Sequence, residues 1–256
     1  MRIHIASAAA VGALALLALT ASAAQADTHK GDTVFTSVTF SKTTVNVGIS
    51  AAQKLTVTAT AKDNSGIRDI YGAKLRSPQD TLLYANTADC TKPSSTTRKC
   101  AFTFTLDAND KDDYFDLQND EAGTWHFTAE AAAMDQDFYD LETSATVKVK
   151  RYAKLSDTKA SPEPVSRGGK LTVTGALTRA NWNTNVYAGY TGQSVALQFK
   201  KSGSSAYTTV KTVKTDSAGK LRTTVTANSS GTWRWNFAGT GTTSGATAYG
   251  DGVSVK

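Results

Sequence analysis

Polar and apolar residues alternate along most of this chain, most sharply in two stretches that open alike. Gly123-Thr-Trp-His-Phe127 and Gly231-Thr-Trp-Arg-Trp-Asn-Phe237 place large rings at every second position, with polar or small residues between. A period of two predicts a strand with one buried aromatic face and one wet face, and the leading glycine marks the turn into it. In the first half, strands are predicted over 33–42, 53–62, 67–76, 81–84, 99–106, 124–132 and 143–150, with a turn at Asp63-Asn-Ser-Gly66. The second half repeats the rhythm from 171 onward, through the Trp233 strand to Val253-Ser-Val255, with a hairpin turn at Asp216-Ser-Ala-Gly219. No stretch carries the period of an amphipathic helix. The expected fold is all-β: two tandem immunoglobulin-like β-sandwich domains.

Composition sets the boundaries. Residues 1–26 read as a signal peptide, with Arg2 as positive start, an apolar run over 11–19 and the small-residue cleavage site Ala24-Gln25-Ala26. That run is too short to span a bilayer, so export to the extracellular space is expected, without membrane insertion. An acidic domain follows over 27–150, beginning with a loose leader at 29–32. Residues 151–167 form a linker that includes a first strand, stiffened by Pro162 and Pro164, and a basic domain fills 168–256. The only cysteines, Cys90 and Cys100, are expected to pair across a loop between two strands, as an oxidising compartment allows.

Charge divides sharply between the halves: 18 acids against 13 bases over 27–150, and 4 against 14 over 151–256. The basic half suits an acidic surface such as a wall polymer, or simply a solvated face. It carries no nucleic-acid motif, and no such partner is expected.

Candidate chemistry is thin. Beyond the signal the histidines are His29 and His126 alone, and no Gly-x-Ser-x-Gly element occurs, which leaves neither a nucleophilic triad nor a zinc site. Carboxylates are the exception. Twelve acids between Asp107 and Glu142 share one base, Lys111, for a net charge of −11. Crowding of this kind calls either for a solvated face or for a hard cation with many oxygen ligands, calcium above all. The preferred site is one end of the sandwich, where Asp135 and Asp137 follow the Trp125 strand and Asp63 and Asn64 end another. Asp107, Asp110, Asp112, Asp113 and Asp140 complete the candidate ligands. The segment from Asp107 starts like an EF-hand loop but is none, because Lys111 takes a ligand position, Asp112 the required glycine and Gln118 the bidentate glutamate. Trp182, Tyr187 and Tyr190 lie in a polar loop and are candidates for stacking on sugar rings; the alternative is that Trp182 covers the end of the sandwich core.

Several segments, among them Leu177-Thr-Arg-Ala-Asn-Trp-Asn-Thr-Asn185, Ala196-Leu-Gln-Phe-Lys-Lys201, the ending Gly250-Asp-Gly-Val-Ser-Val-Lys256 and Ala61-Lys-Asp-Asn-Ser-Gly-Ile67, resemble secreted immunoglobulin-like proteins of actinomycetes (Streptomyces-type) often labelled calcium-binding. The resemblance spans nearly the whole exported chain and implies the same fold, without supplying ligand positions. The expected function is that of a monomeric, non-catalytic, secreted binding or structural protein, calcium-binding through its acidic loops, with an extracellular protein or cell-envelope glycan as partner. The alternative is a carbohydrate-active enzyme or glycan-binding module that uses the acidic run and the aromatic loop.

Overall fold

The computed structural model describes residues 26–109 and 116–256. The expected signal peptide, apart from Ala26, and the candidate ligands Asp110, Asp112 and Asp113 lie outside the described residues.

Among the described residues the first module contains ten strands: β1 (Thr28–Lys30), β2 (Val34–Phe40), β3 (Thr44–Val47), β4 (Gln53–Lys62), β5 (Ile67–Arg76), β6 (Leu82–Tyr84), β7 (Thr87–Ser94), β8 (Thr97–Leu106), β9 (Gly123–Ala133) and β10 (Phe138–Arg151). One sheet has the order β2-β4-β8-β7; the other runs β10-β9-β5-β6, with β1 and β3 both on the free edge of β10. Lettered from β2 to β10 as A, A′, B, C, C′, D, E, F and G, these are the sheets ABED and A′GFCC′ of an immunoglobulin sandwich. The parallel pairing of β3 with the end of β10 (Val47 opposite Arg151) comes from the first strand changing sheets midway.

Alternation does what it promised in the central strands. Leu55, Val57, Ala59 and Ala61 of β4 face Phe102, Phe104 and Leu106 of β8 and Trp125 and Phe127 of β9 in one buried cluster, while the residues between point outward. The indole Nε1 of Trp125 donates to the carbonyl of Glu121 at 2.7 Å, so its polar atom is not stranded. Asn119–Glu121 is a single 3-10 turn, the ordered part of the acidic stretch before β9.

The second module comprises β11 (Ala153–Leu155), β12 (Lys159–Ser161), β13 (Gly169–Asn181), β14 (Val186–Gly189), β15 (Ser194–Lys201), β16 (Thr208–Lys214), β17 (Lys220–Ala227), β18 (Gly231–Phe237), β19 (Ala246–Thr247) and β20 (Asp251–Val253). β11 and β12 pair with β13, which pairs in turn with β17; the facing sheet is β16-β15-β18, with β19 and β20 beside β18. Trp233, Trp235 and Phe237 point into a second, separate core.

Two features go beyond the sequence reading. The expected linker and first strand over 151–167 are not set apart from the first module by a long connection: β10 ends at Arg151, β11 begins at Ala153, and Tyr152 alone lies between them. Nor is the span from Cys90 to Cys100 mainly a loop. β7 and β8 form a hairpin in which the two cysteines are direct cross-strand partners and are disulfide-bonded. Pro93 lies in β7 because β7 is an edge strand, where a missing N–H is tolerated.

Candidate metal centre

At the tip farthest from the second module, three connections converge. Gly31, Asp32 and Thr33 lead from β1 into β2, Asp63 opens the turn from β4 to β5, and Asp135 and Asp137 belong to the turn from β9 to β10. One carboxylate oxygen each from Asp32, Asp63, Asp135 and Asp137 lies within 4.8 Å of all the others. Two unit charges at such a distance repel by roughly 1 kcal/mol in water and about 3–4 kcal/mol at an effective dielectric of 20. The only ion pair offsetting this among the described residues is Lys30, whose exposed ammonium lies 3.7 Å from Asp137 Oδ1.

Asp63 anchors the group. It is 1% exposed, and its Oδ2 accepts from the Thr33 hydroxyl at 2.6 Å. Its Oδ1 accepts from the Ser65 amide at 2.8 Å and the Ser65 hydroxyl at 2.6 Å. Burial pushes the Asp63 carboxyl up, but the hydrogen bonds from Ser65 and Thr33 outweigh it and hold the pKa below the ordinary value of 3.8, so Asp63 is charged at neutral pH. With Oδ1 occupied twice, Asp63 has one lone pair left, on Oδ2. Asp32 and Asp135 are exposed and Asp137 half-buried, and together they add further oxygens. The Asp135 carboxylate also caps its own turn, taking the Asp137 amide at 3.2 Å.

Close approach is built in at Gly31. With φ at +74°, it adopts a conformation that favours glycine, and a Cβ there would sit 1.5 Å from Asp137 Oδ2. The donor set, all oxygen and mostly carboxylate, fits a hard divalent cation that takes six to eight oxygens and tolerates irregular geometry.

The other sequence candidates fall elsewhere. Asn64 is exposed in the same turn as Asp63. Asp107 follows β8 at the opposite end of the sandwich, because Leu106 pairs with Gln53 at the start of β4 whereas Asp63 follows its end. Nine strand steps put them roughly 30 Å apart, and Asp107 serves its own loop by accepting from the Asn109 amide at 3.0 Å. Asp140 sits in mid-sheet opposite Glu130, where burial and the Glu130 charge push its carboxyl up. Glu130 itself is the acceptor for the Tyr71 hydroxyl, whose pKa is pushed up to about 12.

Asp32 is not among the expected ligands, because residues 29–32 read as a loose leader. Thr28–Lys30 instead form β1 against β10, with His29 stacked on Tyr139 at 5.7 Å between ring centroids, and this delivers Asp32 to the tip. The one available signal was Gly31-Asp32 directly before a predicted strand.

The aromatic loop is not an open platform. β13 and β14 project from the second sandwich as a hairpin whose tip enters the near end of the first. Trp182 is 1% exposed within the first module's core cluster, and its Nε1 donates to the Val47 carbonyl at 3.2 Å. Around it, Asn119 Nδ2 donates to Asn181 Oδ1 at 2.7 Å, the Trp182 amide to Asn119 Oδ1 at 2.9 Å, the Asn119 amide to Asn183 Oδ1 at 2.9 Å, and Asn183 Nδ2 to Gln118 Oε1 at 2.6 Å. Tyr187 is half-buried against the same cluster. Tyr190 packs edge-on against Phe237 in its own module, under the Arg179 guanidinium. On the other side of the junction Arg151 is buried, donates from Nε to the Ala180 carbonyl at 2.7 Å, and has its pKa pushed down to about 10 by burial and by Arg179.

No protein-family model and no curated protein matches the chain. Among solved structures, the D0-D1 domain of Intimin is similar at 15% identity over 86% of this chain and 98% of that one, with a TM-score of 0.28. Three N-terminal domains of the bacteriophage RB49 outer capsid protein Hoc are similar at 10% identity, over 88% of this chain and 71% of that one, with a TM-score of 0.33. Scores this low carry no argument about function, and the immunoglobulin-like assignment stands on the strand order described above.

Proposed function

We propose that this chain is an exported, non-catalytic binding protein whose first module holds a calcium-type cation between Asp32, Asp63, Asp135 and Asp137. The observation that carries the reading is the convergence of four carboxylates, one of them buried and charged, on a volume a few ångströms across. A divalent cation removes the repulsion and ties three connections of the tip together. Glycoside hydrolysis needs one carboxyl kept protonated as general acid, whereas the buried member of this group, Asp63, has its pKa held below 3.8. Both described histidines are engaged structurally, His29 on Tyr139 and His126 through Nδ1 with the Thr143 carbonyl at 3.1 Å. The Cys90–Cys100 disulfide agrees with export, and among the described residues no helix is long and apolar enough to cross a membrane. The partner in this reading is an extracellular protein or cell-envelope glycan, met by a monomer.

Thermal unfolding in chelator and in millimolar calcium tests the metal. A cation that binds only the folded state at a hundredfold excess over its Kd adds about 2.7 kcal/mol of stability, which a rise in midpoint reads directly. An unchanged midpoint in calcium would remove the metal from the account.

A further inference from the structure

Beside the junction the two modules share a groove of about 510 Å3, to which the first contributes Lys42, Asn46 and Gln53 and the second Tyr152, Lys154 and Tyr187. That volume suits one or two sugar rings and falls in the usual range of small-ligand sites. Among the described residues no carboxylate lines the groove and neither lysine takes part in an ion pair. Two cations with no ion-pair partner among the described residues, beside two amides, suit an anion that also offers hydrogen bonds.

The aromatic component is rigidly mounted. The Tyr152 amide donates to the Val47 carbonyl at 2.8 Å and its carbonyl accepts from the Ala180 amide at 2.8 Å, fixing the backbone from both modules, while the residue stays 41% exposed. Lys154 Nζ is held 3.7 Å from the centroid of the Tyr187 ring, which orders a long side chain before any ligand arrives. Tyr187 is wedged in turn against Gly48, where a Cβ would come within 3.0 Å of its hydroxyl.

We propose that this groove binds an anionic saccharide. A sugar ring stacks its C–H face on Tyr152, its hydroxyls meet the amides of Asn46 and Gln53, and its carboxylate or phosphate is met by Lys42 and Lys154. Single-stranded nucleic acid fits less well, since it needs a row of cations along its backbone and a series of stacking rings. The inference rests on the binding-protein reading above and names the class of its ligand.

The test uses the chain from residue 27 onward in calorimetric titrations with trigalacturonate, a phosphorylated trisaccharide, a neutral trisaccharide and oligo-dT. Binding of trigalacturonate or of the phosphorylated trisaccharide is expected, the two arms separating a carboxylate ligand from a phosphate one, with no measurable heat from the neutral sugar. The double variant Lys42→Gln/Lys154→Gln, exposed at both positions, should keep its unfolding midpoint and lose about tenfold or more in affinity, and Tyr152→Ala should lose a similar factor. Absence of binding by both anionic probes, binding indifferent to the double variant, or equal binding of oligo-dT through the same residues would each overturn the proposal. The calcium-dependent midpoint is measured on the same samples: a retained shift without saccharide binding sinks the groove alone, and saccharide binding without a shift sinks the metal alone.

Discussion

At one end of the first sandwich an indole and a ladder of neutral amides fill the space between the sheets; at the other end four carboxylates crowd into it. The two sites are separated by the length of β10, thirteen strand steps or roughly 40 Å. At the near end the amide and both side-chain polar atoms of Asn119 have partners from the other module, and Trp182 removes a large apolar area from water. Among the described residues that end is closed by packing and neutral hydrogen bonds. At the far end each hydrogen bond to Asp63 makes its charge more persistent, which sharpens the repulsion from Asp32, Asp135 and Asp137. A sandwich end can thus be closed by packing, or left conditional on a counter-ion.

Several substitutions probe that difference. The largest effect is expected at the closed end, where Trp182→Ala empties a fully buried site. Such a truncation costs about 3–5 kcal/mol, and because the ring belongs to one module and its pocket to the other, calorimetry should show one transition split into two. Gly31→Ala acts at the conditional end: a left-handed non-glycine residue costs roughly 1–2 kcal/mol. The new Cβ also displaces the Asp137 carboxylate, so the variant should lose its calcium-dependent midpoint shift as well as some stability.

Acid provides the smallest test. Asp63 and Asp27 have folded pKa values below the ordinary 3.8; in Asp27, burial pushes upward and the amides of Thr143 and Glu142 more than compensate. Groups depressed on folding stabilise the protein above their unfolded value and lose that contribution as pH falls through the folded one. Urea midpoints in chelator should therefore be steady near neutrality and decline below about pH 4. Asp140, raised by burial and by Glu130, works in the opposite direction and flattens the decline.

Much of the scaffold was legible in the sequence because its strands carry their own instruction. β4, β8 and β18 alternate strictly, as does β9 up to Phe127, and each buries the face its pattern marks. The meeting of Asp63 with Asp135 and Asp137 followed from placing two turns at the same end of one sandwich. What could not be read was structure imposed by a distant partner. β1 has no pattern of its own and is a strand because β10 offers an edge. β7 carries a proline and few apolar residues, and is held by β8 and the disulfide. The loop Asn181-Trp-Asn-Thr-Asn185 looks solvent-facing because its side chains are amides, yet those amides find other amides across the junction. Of the described acids in that run, Asp107 and Asp135 are brought to opposite ends by the strands between them, while Glu130 and Asp140 pair in mid-sheet.

The most direct measurement is the unfolding midpoint of Asp135→Asn beside the parent chain, each in chelator and in calcium. Removing an exposed carboxylate from the cluster relieves repulsion and takes away a ligand, so the sign of its effect should reverse: the variant melts above the parent in chelator and below it in saturating calcium. A variant that shifts the midpoint equally in both conditions, or parent and variant alike indifferent to calcium, would contradict the claim that a cation completes this tip.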